Sequence, residues 1–353
     1  MTTSIQIIDP VVDNRWDAYI EGADGSSIFH HSCWKRVIEE TFHAQPLYLA
    51  ACDGAAGILG AMPFFLTRGI LTGKALVSLP FSDYCDVLAR EADEFGALWG
   101  RALDWGREKG ARYVEIRTRD RGGIDLASYA LEKRKTYLNH FLKITGDIAF
   151  MEKRVIEKSY KYDIRQAARN GVVVRTGMGE PDMRQYYRLY VMTRCRQGLP
   201  PVPYAFFKNV WEVLSPAKMA YLFLAYWLDR PIAGIVLLRH KNCLYALSAS
   251  SDRAFLDKKP NHLLWWRGIQ LAVELGLEGL DFGRTSPENK GLRFFKTRWG
   301  AEEIGISHYR LEMKGKNGNG RGRACLEKAL PLVLKKIPFR ALGVIGKIAY
   351  RYM

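Results

Sequence analysis

The residues best suited to chemistry are five cations that lie within residues 284–299, directly after a short apolar stretch. They alternate with three aromatic residues, and the whole set is Arg284, Lys290, Arg293, Lys296 and Arg298 with Phe294, Phe295 and Trp299. A fixed cation can stabilise the oxyanion that forms when an acyl carbonyl becomes tetrahedral, or it can hold a phosphate. The pattern favours an anionic, partly planar ligand, although a basic surface loop whose aromatic side chains fill a core would have the same composition.

Two elements must position these side chains. From Asn261 on, apolar residues recur at helical spacing, with Asn261 as the predicted N-cap and Gly276 as the stop. Leu280–Gly283 is predicted to be a short buried strand with Asp281 at its end, and residues 284–300 are predicted to form a polar loop. Open α/β sheets usually bind ligands beyond the carboxyl ends of their strands. Asp281 could accept the proton that an attacking amine loses, or it could be a structural hydrogen-bond acceptor.

The composition indicates a folded protein with an uneven charge. The 353 residues are 48% hydrophobic and 25% charged, which suits one large or two ordinary domains. Residues 1–145 carry a net charge of −2, residues 146–312 carry +9 and the last 41 residues carry +9, so the chain totals +16. We therefore expect phosphate-rich partners for the second half and the tail: RNA, a nucleotide-linked substrate or an anionic membrane.

Several classes of protein lack support in the sequence. There is no HExxH, GxSxG or Walker A motif, and no pyrophosphate loop of the acetyl-CoA-dependent type lies between a strand and a helix. The six cysteines have no CxxC pair and the seven histidines have no ligand spacing, so no metal site is predicted. Because no run of about 18 apolar residues and no signal peptide pattern occurs, we expect a cytoplasmic location.

The order of predicted elements occurs twice along the chain. The first half has a hairpin that turns at Asp53-Gly54, a strand over Val77–Tyr84, a helix from Glu91 and a glycine stop at Gly110 before the next strand. The second half has a hairpin, a strand, the helix that follows Asn261 and its own glycine stop and strand. We interpret this order as two copies of one α/β unit with mixed sheets, and we place the domains at 1–145 and 146–312.

Further cations lie on predicted helices outside the residue 284–299 cluster. Lys35 and Arg36 are near the start of an amphipathic helix over Ser32–Phe42, where cations oppose the helix dipole. Arg194 and Arg196 are at the end of a helix that begins at Pro181. A third helix, over 158–169, is strongly basic. These residues could bind an anion or could be solvated surface charges.

Several segments resemble the FemA/FemB-type transferases. They are HSCWKR at 31–36, LPFSDY at 79–84, KSYKYDIRQAARNGVVV at 158–174, TRCRQGLPPVP at 193–203 and LDFGRTSPENKGLRFFKTRWGAE at 280–302. The resemblance covers about residues 25–312 and is closest to FemAB-like (BioF2-like) acetyltransferase-domain proteins, some of which are linked to exopolysaccharide and PEP-CTERM systems. It implies two tandem GNAT-like acyltransferase domains.

The resemblance also implies an activity and a set of site residues. The activity would be transfer of an aminoacyl group from charged tRNA, or of another acyl group from a donor such as acyl-CoA, onto an amine of a peptidoglycan or exopolysaccharide precursor. Lys296 matches the family's lysine at the catalytic cleft. Lys35 or Arg36 from one domain, and Arg194 or Arg196 from the other, match the positions that grip the precursor's diphosphate. Asp83 and Tyr84 could orient the acceptor or could be satisfied loop residues.

Residues 313–353 are predicted to be a basic linker followed by an amphipathic tail. The tail could lie on the inner face of an anionic plasma membrane, or it could dock on its own domain. No bound cofactor is expected, because the acyl donor is a substrate. The alternative to an acyltransferase is a non-catalytic protein that binds RNA or an anionic membrane through the basic C-terminal half.

Overall fold

The computed structural model describes residues 3–53, 57–69, 73–120 and 123–313, with Arg154 described by its backbone alone. The predicted Asp53-Gly54 turn and the predicted tail lie wholly or partly outside these residues. The strands are β1 Ser4–Ile7, β2 Gln45–Cys52, β3 Ile58–Gly69, β4 Gly73–Val77, β5 Tyr113–Arg119, β6 Glu132–Lys143, β7 Val173–Thr176, β8 Ala220–Trp227, β9 Arg230–His240, β10 Cys243–Ser251, β11 Gly279–Thr285 and β12 Glu302–Glu312. The helices are α1 Arg15–Gly22, α2 Ser32–Phe42, α3 Ala92–Glu108, the single turn α4 Ile148–Phe150, α5 Lys158–Arg169, α6 Glu180–Gln197, α7 Tyr204–Leu214, α8 Pro260–Glu274 and α9 Lys290–Thr297.

The described chain forms two compact units, and the second of them contains residues 139–303. Of the described residues, the first unit contains those up to Leu138 and residues 304–313. Strands β6 and β12 therefore each pass from one unit into the other along the chain. The predicted domain limits at 145 and 312 remain predictions.

The two units have the same strand order. In the first, β1, β2, β3 and β4 are successive antiparallel neighbours and β5 pairs parallel to β4. In the second, β7, β8, β9 and β10 are successive antiparallel neighbours and β11 pairs parallel to β10. A parallel pair needs a crossover connection, and α3 in one unit and α8 in the other supply it. The predicted fold class, a duplicated α/β unit with mixed sheets, is confirmed.

Each crossover helix packs an apolar face on the sheet of its own unit. Phe95, Leu98 and Ala102 of α3 are fully buried in the first core. Leu264 and Ile269 of α8 are buried in the second core. Burying each large apolar side chain contributes about 1.5–3 kcal/mol, so these faces fix the helices and the loops that follow them.

Several predicted elements agree with the structure, and some are wrong. The helices over 32–42 and 158–169 have the predicted bounds, and Gly276 has the expected positive φ of 64°. Asn261 is not the N-cap, because Pro260 already occupies the first turn of α8 and Lys259 is the cap. The strand predicted over Val77–Tyr84 is also wrong, since β4 ends at Val77.

The predicted loop over 284–300 contains a helix, α9. The side chain of Asn289 caps it by accepting a hydrogen bond from the Leu292 N–H at 3.1 Å. Asp281 is the third of the seven residues of β11 and not its last. Within the described residues, no helix combines the length and the apolar character needed to cross a bilayer.

Candidate active site

The candidate site lies in the second unit, where β10 and β11 meet. These two strands pair over three residues of each, from Cys243 opposite Gly279 to Tyr245 opposite Asp281. Strand β10 then continues to Ser251 along β9 with a bulge between Ala246 and Ser248, and β11 continues to Thr285. The pairing of β11 with β10 therefore ends at Asp281, before the last residues of β11.

Lys296 of α9 occupies this end of β11. The side chain is buried, with 4% of the residue exposed, and its Nζ donates hydrogen bonds to the carbonyl oxygens of Gly283 at 2.7 Å and Arg284 at 3.2 Å. Gly283 has a φ of 74°, a conformation that suits glycine and sets the direction of these carbonyls. Two backbone carbonyls thus help to fix the position of the lysine ammonium.

Asp281 is also buried, at 2% exposed, and both of its oxygens accept hydrogen bonds. Oδ1 accepts from the Gly283 N–H at 2.7 Å, and Oδ2 accepts from the Asn139 amide at 3.0 Å. This carboxylate fixes the turn at Gly283, whose carbonyl in turn holds Lys296. The geometry is that of the structural alternative for Asp281, whereas its role as a proton acceptor stays a prediction.

Two residues that the sequence analysis missed, His140 and Glu303, lie beside the buried lysine. The Nε2 of His140 is 3.1 Å from Oε1 of Glu303, and its Nδ1 is 3.5 Å from the Thr285 hydroxyl. Burial, and next the nearby Lys296 charge, lower the pKa of His140 to about 4. His140 is therefore neutral near pH 7. The two residues are 163 positions apart, so no local sequence signal could have linked them.

Three other predicted residues lie around α9. Arg293 binds Glu303 with two nitrogens, Nε at 2.9 Å and Nη2 at 2.8 Å, and this pairing lowers the pKa of the Glu303 carboxyl. Phe295 is half-buried against the rings of Tyr160 and Trp299. Arg284 is exposed at the end of β11. Of the three, Arg284 is the one most open to a ligand.

Arg194 and Arg196 lie at the end of α6, as predicted. The Arg194 guanidinium donates to the Pro200 carbonyl at 3.4 Å and lies over the ring of Tyr190, with its carbon 5.9 Å from the ring centroid. Arg196 is exposed and donates to the carbonyl of Ser251, the last residue of β10, at 3.4 Å. Arg196 is therefore the one of the pair that contacts a site strand.

In the first unit, the two candidate phosphate-binding cations, Lys35 and Arg36, differ in how exposed they are. Lys35 is 5% exposed and bonds Asp9 at 3.1 Å and Glu39 at 2.5 Å, beside a cavity of about 330 Å³. Arg36 is half-exposed and contacts Glu40 at 3.3 Å, an interaction that water weakens. Arg36 can therefore reach an anion more easily than Lys35.

Asp83 and Tyr84, the two residues predicted to orient the acceptor, differ in exposure. Tyr84 is 1% exposed and lies under the guanidinium of Arg119, whose carbon is 4.2 Å from the ring centroid. Asp83 is half-buried. Tyr84 thus packs within the first unit, and only Asp83 has surface for a ligand.

A larger cavity of about 500 Å³ in the first unit lies at the end of β5 and is lined by none of the predicted site residues. Two of its three lining cations pair with acids, Arg119 with Asp86 at 2.7 Å and Lys133 with Asp120 at 3.5 Å. Its size does not by itself make it the site of chemistry. In the described residues no group of three or more histidine, cysteine or acidic side chains could hold a metal ion.

Comparison with protein-family models gives a match in the second half of the chain. A family model described as an acetyltransferase (GNAT) domain matches residues 155–296, which end at Lys296. Comparison with curated protein sequences gives no match.

Solved structures share the fold at low sequence identity. FemX is 15% identical with a TM-score of 0.69, over 94% of this chain and 100% of FemX. A tandem GNAT protein from the clavulanic acid biosynthesis pathway is 10% identical with a TM-score of 0.58, over 90% of this chain and 100% of that chain. A C-terminal domain assigned to a lysylphosphatidylglycerol synthetase from Agrobacterium fabrum is 13% identical with a TM-score of 0.57, over 90% of this chain and 96% of that chain. The protein thus has the tandem GNAT fold, and residues 155–296 in its second half match the model of a GNAT acetyltransferase domain.

Proposed function

We propose that the protein is an acyltransferase that moves an acyl or aminoacyl group onto an amine of a cell-envelope precursor. The observation that carries the proposal is the buried Lys296 ammonium, which the end of β11 holds inside the unit that matches the GNAT acetyltransferase family. The likeness to FemX supports the same kind of chemistry through its fold. The acceptor would be a peptidoglycan or exopolysaccharide precursor.

In the proposed reaction the amine nitrogen of the acceptor attacks the carbonyl carbon of the donor. A C–N bond forms, the bond to the donor oxygen or sulfur breaks, and the nitrogen loses one proton. Negative charge develops on the carbonyl oxygen, and a fixed cation stabilises that charge more than it stabilises the uncharged ground state. Lys296 would supply this cation.

The remaining residues have supporting roles in this proposal. Asp281 holds the turn that positions Lys296 through its hydrogen bonds with Gly283 and Asn139, and its role as a proton acceptor stays a prediction. Burial and the Lys296 charge lower the pKa of His140 to about 4, so it is a weaker base than an ordinary histidine. Arg36, Arg196 and Arg284 are the cations that could bind the phosphates of a precursor or of the donor.

The donor can be identified with purified protein. Charged tRNA and acyl-CoA are supplied separately with candidate envelope amines, and the acceptor mass is read by mass spectrometry. A mass increase with one donor, lost in Lys296→Met, supports an enzyme and names the donor. A protein that only binds RNA or membrane would give no mass increase with either donor, and that outcome would overturn the proposal.

A further inference from the structure

Helix α9 has its polar and apolar faces reversed. Lys296 is 4% exposed, whereas Phe294 is 57% exposed and Leu292 is 38% exposed. An ordinary surface helix turns its apolar residues inward and its lysines outward. The position of Lys296 at β11 accounts for the buried lysine. It leaves the two apolar side chains in contact with water, which needs a separate explanation.

Cations flank the exposed ring on the same side of the helix. Lys290 and Arg298 are four residues before and after Phe294, a spacing that places all three on one face. The guanidinium carbon of Arg298 is 4.1 Å from the centroid of the Phe294 ring. Residues 290–298 contain four cations and no acid. The face is therefore both aromatic and positively charged.

Helix α5 has a similar group of residues. Tyr162 is 61% exposed, with the exposed Lys158 four residues before it and Arg165 three residues after it. Residues 158–169 contain four cations and one acid. We call the set Lys158, Tyr162, Arg165, Lys290, Phe294 and Arg298 the α5–α9 face.

The two helices are joined by direct bonds. Arg298 forms an ion pair with Glu157 at 2.9 Å and donates to the Ser159 hydroxyl at 3.2 Å. The hydroxyl of Tyr160 donates to the Phe295 carbonyl at 3.2 Å. These bonds fix α5 and α9 against each other before any ligand binds, so binding would order little backbone.

We propose that the α5–α9 face docks on an anionic lipid surface. Aromatic rings flanked by lysine and arginine side chains suit the boundary between headgroups and acyl chains, where the rings enter the apolar layer and the cations contact lipid phosphates. The exposed Leu292 favours lipid over RNA, because an aliphatic side chain gains from an acyl layer and offers a base no stacking surface. This docking does not depend on the transfer reaction.

The test is flotation of the full-length protein with vesicles of phosphatidylcholine alone and of phosphatidylcholine mixed with phosphatidylglycerol. The wild type should bind the mixed vesicles more strongly, and added salt should weaken that binding. Phe294→Ser should lower the partition coefficient roughly tenfold, because it removes one large apolar side chain from the lipid. Lys158→Gln combined with Lys290→Gln should lower binding to the mixed vesicles only and make it less sensitive to salt.

Leu228→Ser is the matched control, because Leu228 is 77% exposed in the β8–β9 turn and is not one of the residues of the α5–α9 face. Residues 314–353 stay in every variant, so their contribution to affinity is common to all. Equal binding by Phe294→Ser and Leu228→Ser would overturn the proposal, as would equal binding of both vesicle types. A Phe294→Ser protein that loses affinity for RNA but not for vesicles would assign the face to nucleic acid and also overturn it.

Discussion

Replacing Lys296 with methionine removes the ammonium while keeping an unbranched side chain in α9. The Gly283 and Arg284 carbonyls lose their shared donor, and a buried carbonyl left without a partner costs about 1–3 kcal/mol. The substitution also removes a buried charge whose desolvation costs several kcal/mol, so the two effects oppose each other. We expect the free energy of unfolding to fall by no more than about 3 kcal/mol, and the protein to stay folded.

The effect on transfer should be larger than the effect on stability. Loss of one fixed oxyanion donor typically lowers kcat by about 10²–10³, or roughly 3–4 kcal/mol of transition-state stabilisation. Single-turnover transfer and thermal unfolding, measured on the same preparation, separate the two effects. Lys208→Met is the control, because Lys208 lies in a surface pair with Glu212 on α7 and should leave transfer to a soluble acceptor unchanged.

The pKa of His140, measured by NMR, tests the placement of the Lys296 charge without an activity assay. Because the Lys296 charge is one of the causes that lower the pKa of His140, Lys296→Met should raise that pKa from about 4 toward its usual 6.5. Titration of the imidazole signals by NMR would show this rise in pKa.

Transfer by Lys296→Met within about twofold of wild type would refute the role given to Lys296. Activity that falls only in proportion to the unfolded fraction would do the same.

Three further predictions concern groups that the structure buries. His140 takes up a proton near pH 6.5 in the unfolded chain but only near pH 4 in the folded protein, so unfolding binds a proton between these pH values. The free energy of unfolding should therefore fall by on the order of 2–3 kcal/mol as the pH drops from about 6.5 to about 4. In denaturant titrations, His140→Gln should show a smaller loss over this range than a His43→Gln control. Asp281→Asn should cost about 1–3 kcal/mol, because the new amide must face either the Gly283 N–H or the Asn139 amide, and unchanged unfolding and transfer would contradict the positioning role. In the first unit, burial raises the pKa of the Glu115 carboxyl, but the charges of Arg117 and Arg310 outweigh it and hold that pKa at about 2. Glu115→Gln should lower the free energy of unfolding by roughly 3 kcal/mol, whereas Glu40→Gln, at an exposed ion pair, should lower it by less than about 1 kcal/mol. Equal losses of stability in thermal melts would show that burial of the pair does not matter here.

Much of the fold could be predicted because its signals are local. The bounds of α2 and α5 follow from apolar spacing and from the residues that end each helix, and Gly276 marks a stop because glycine adopts positive φ at little cost. The repeated order of hairpin, strand, helix and strand could also be read from residue types alone. These features depend on interactions within a few turns of chain.

The first residues of α8 show where local rules fail. Asn261 looked like a cap, but its amide lies 3.4 Å from the Ser251 hydroxyl and Pro260 begins the helix. Helix α9 was hidden for a similar reason, because its lysine is buried and its phenylalanine is exposed. Apolar periodicity predicts the opposite arrangement.

The sequence by itself determined that the chain contains a doubled α/β unit and a cationic, aromatic segment around Lys296. Only the tertiary structure decided which groups surround that lysine. Strand pairing brings the carbonyls of β11, the imidazole of His140 and the carboxylate of Glu303 within reach of one another, although His140 and Glu303 are far apart along the chain. The energy of a buried charge depends on such neighbours, and they follow from which strands lie side by side rather than from any short stretch of residues.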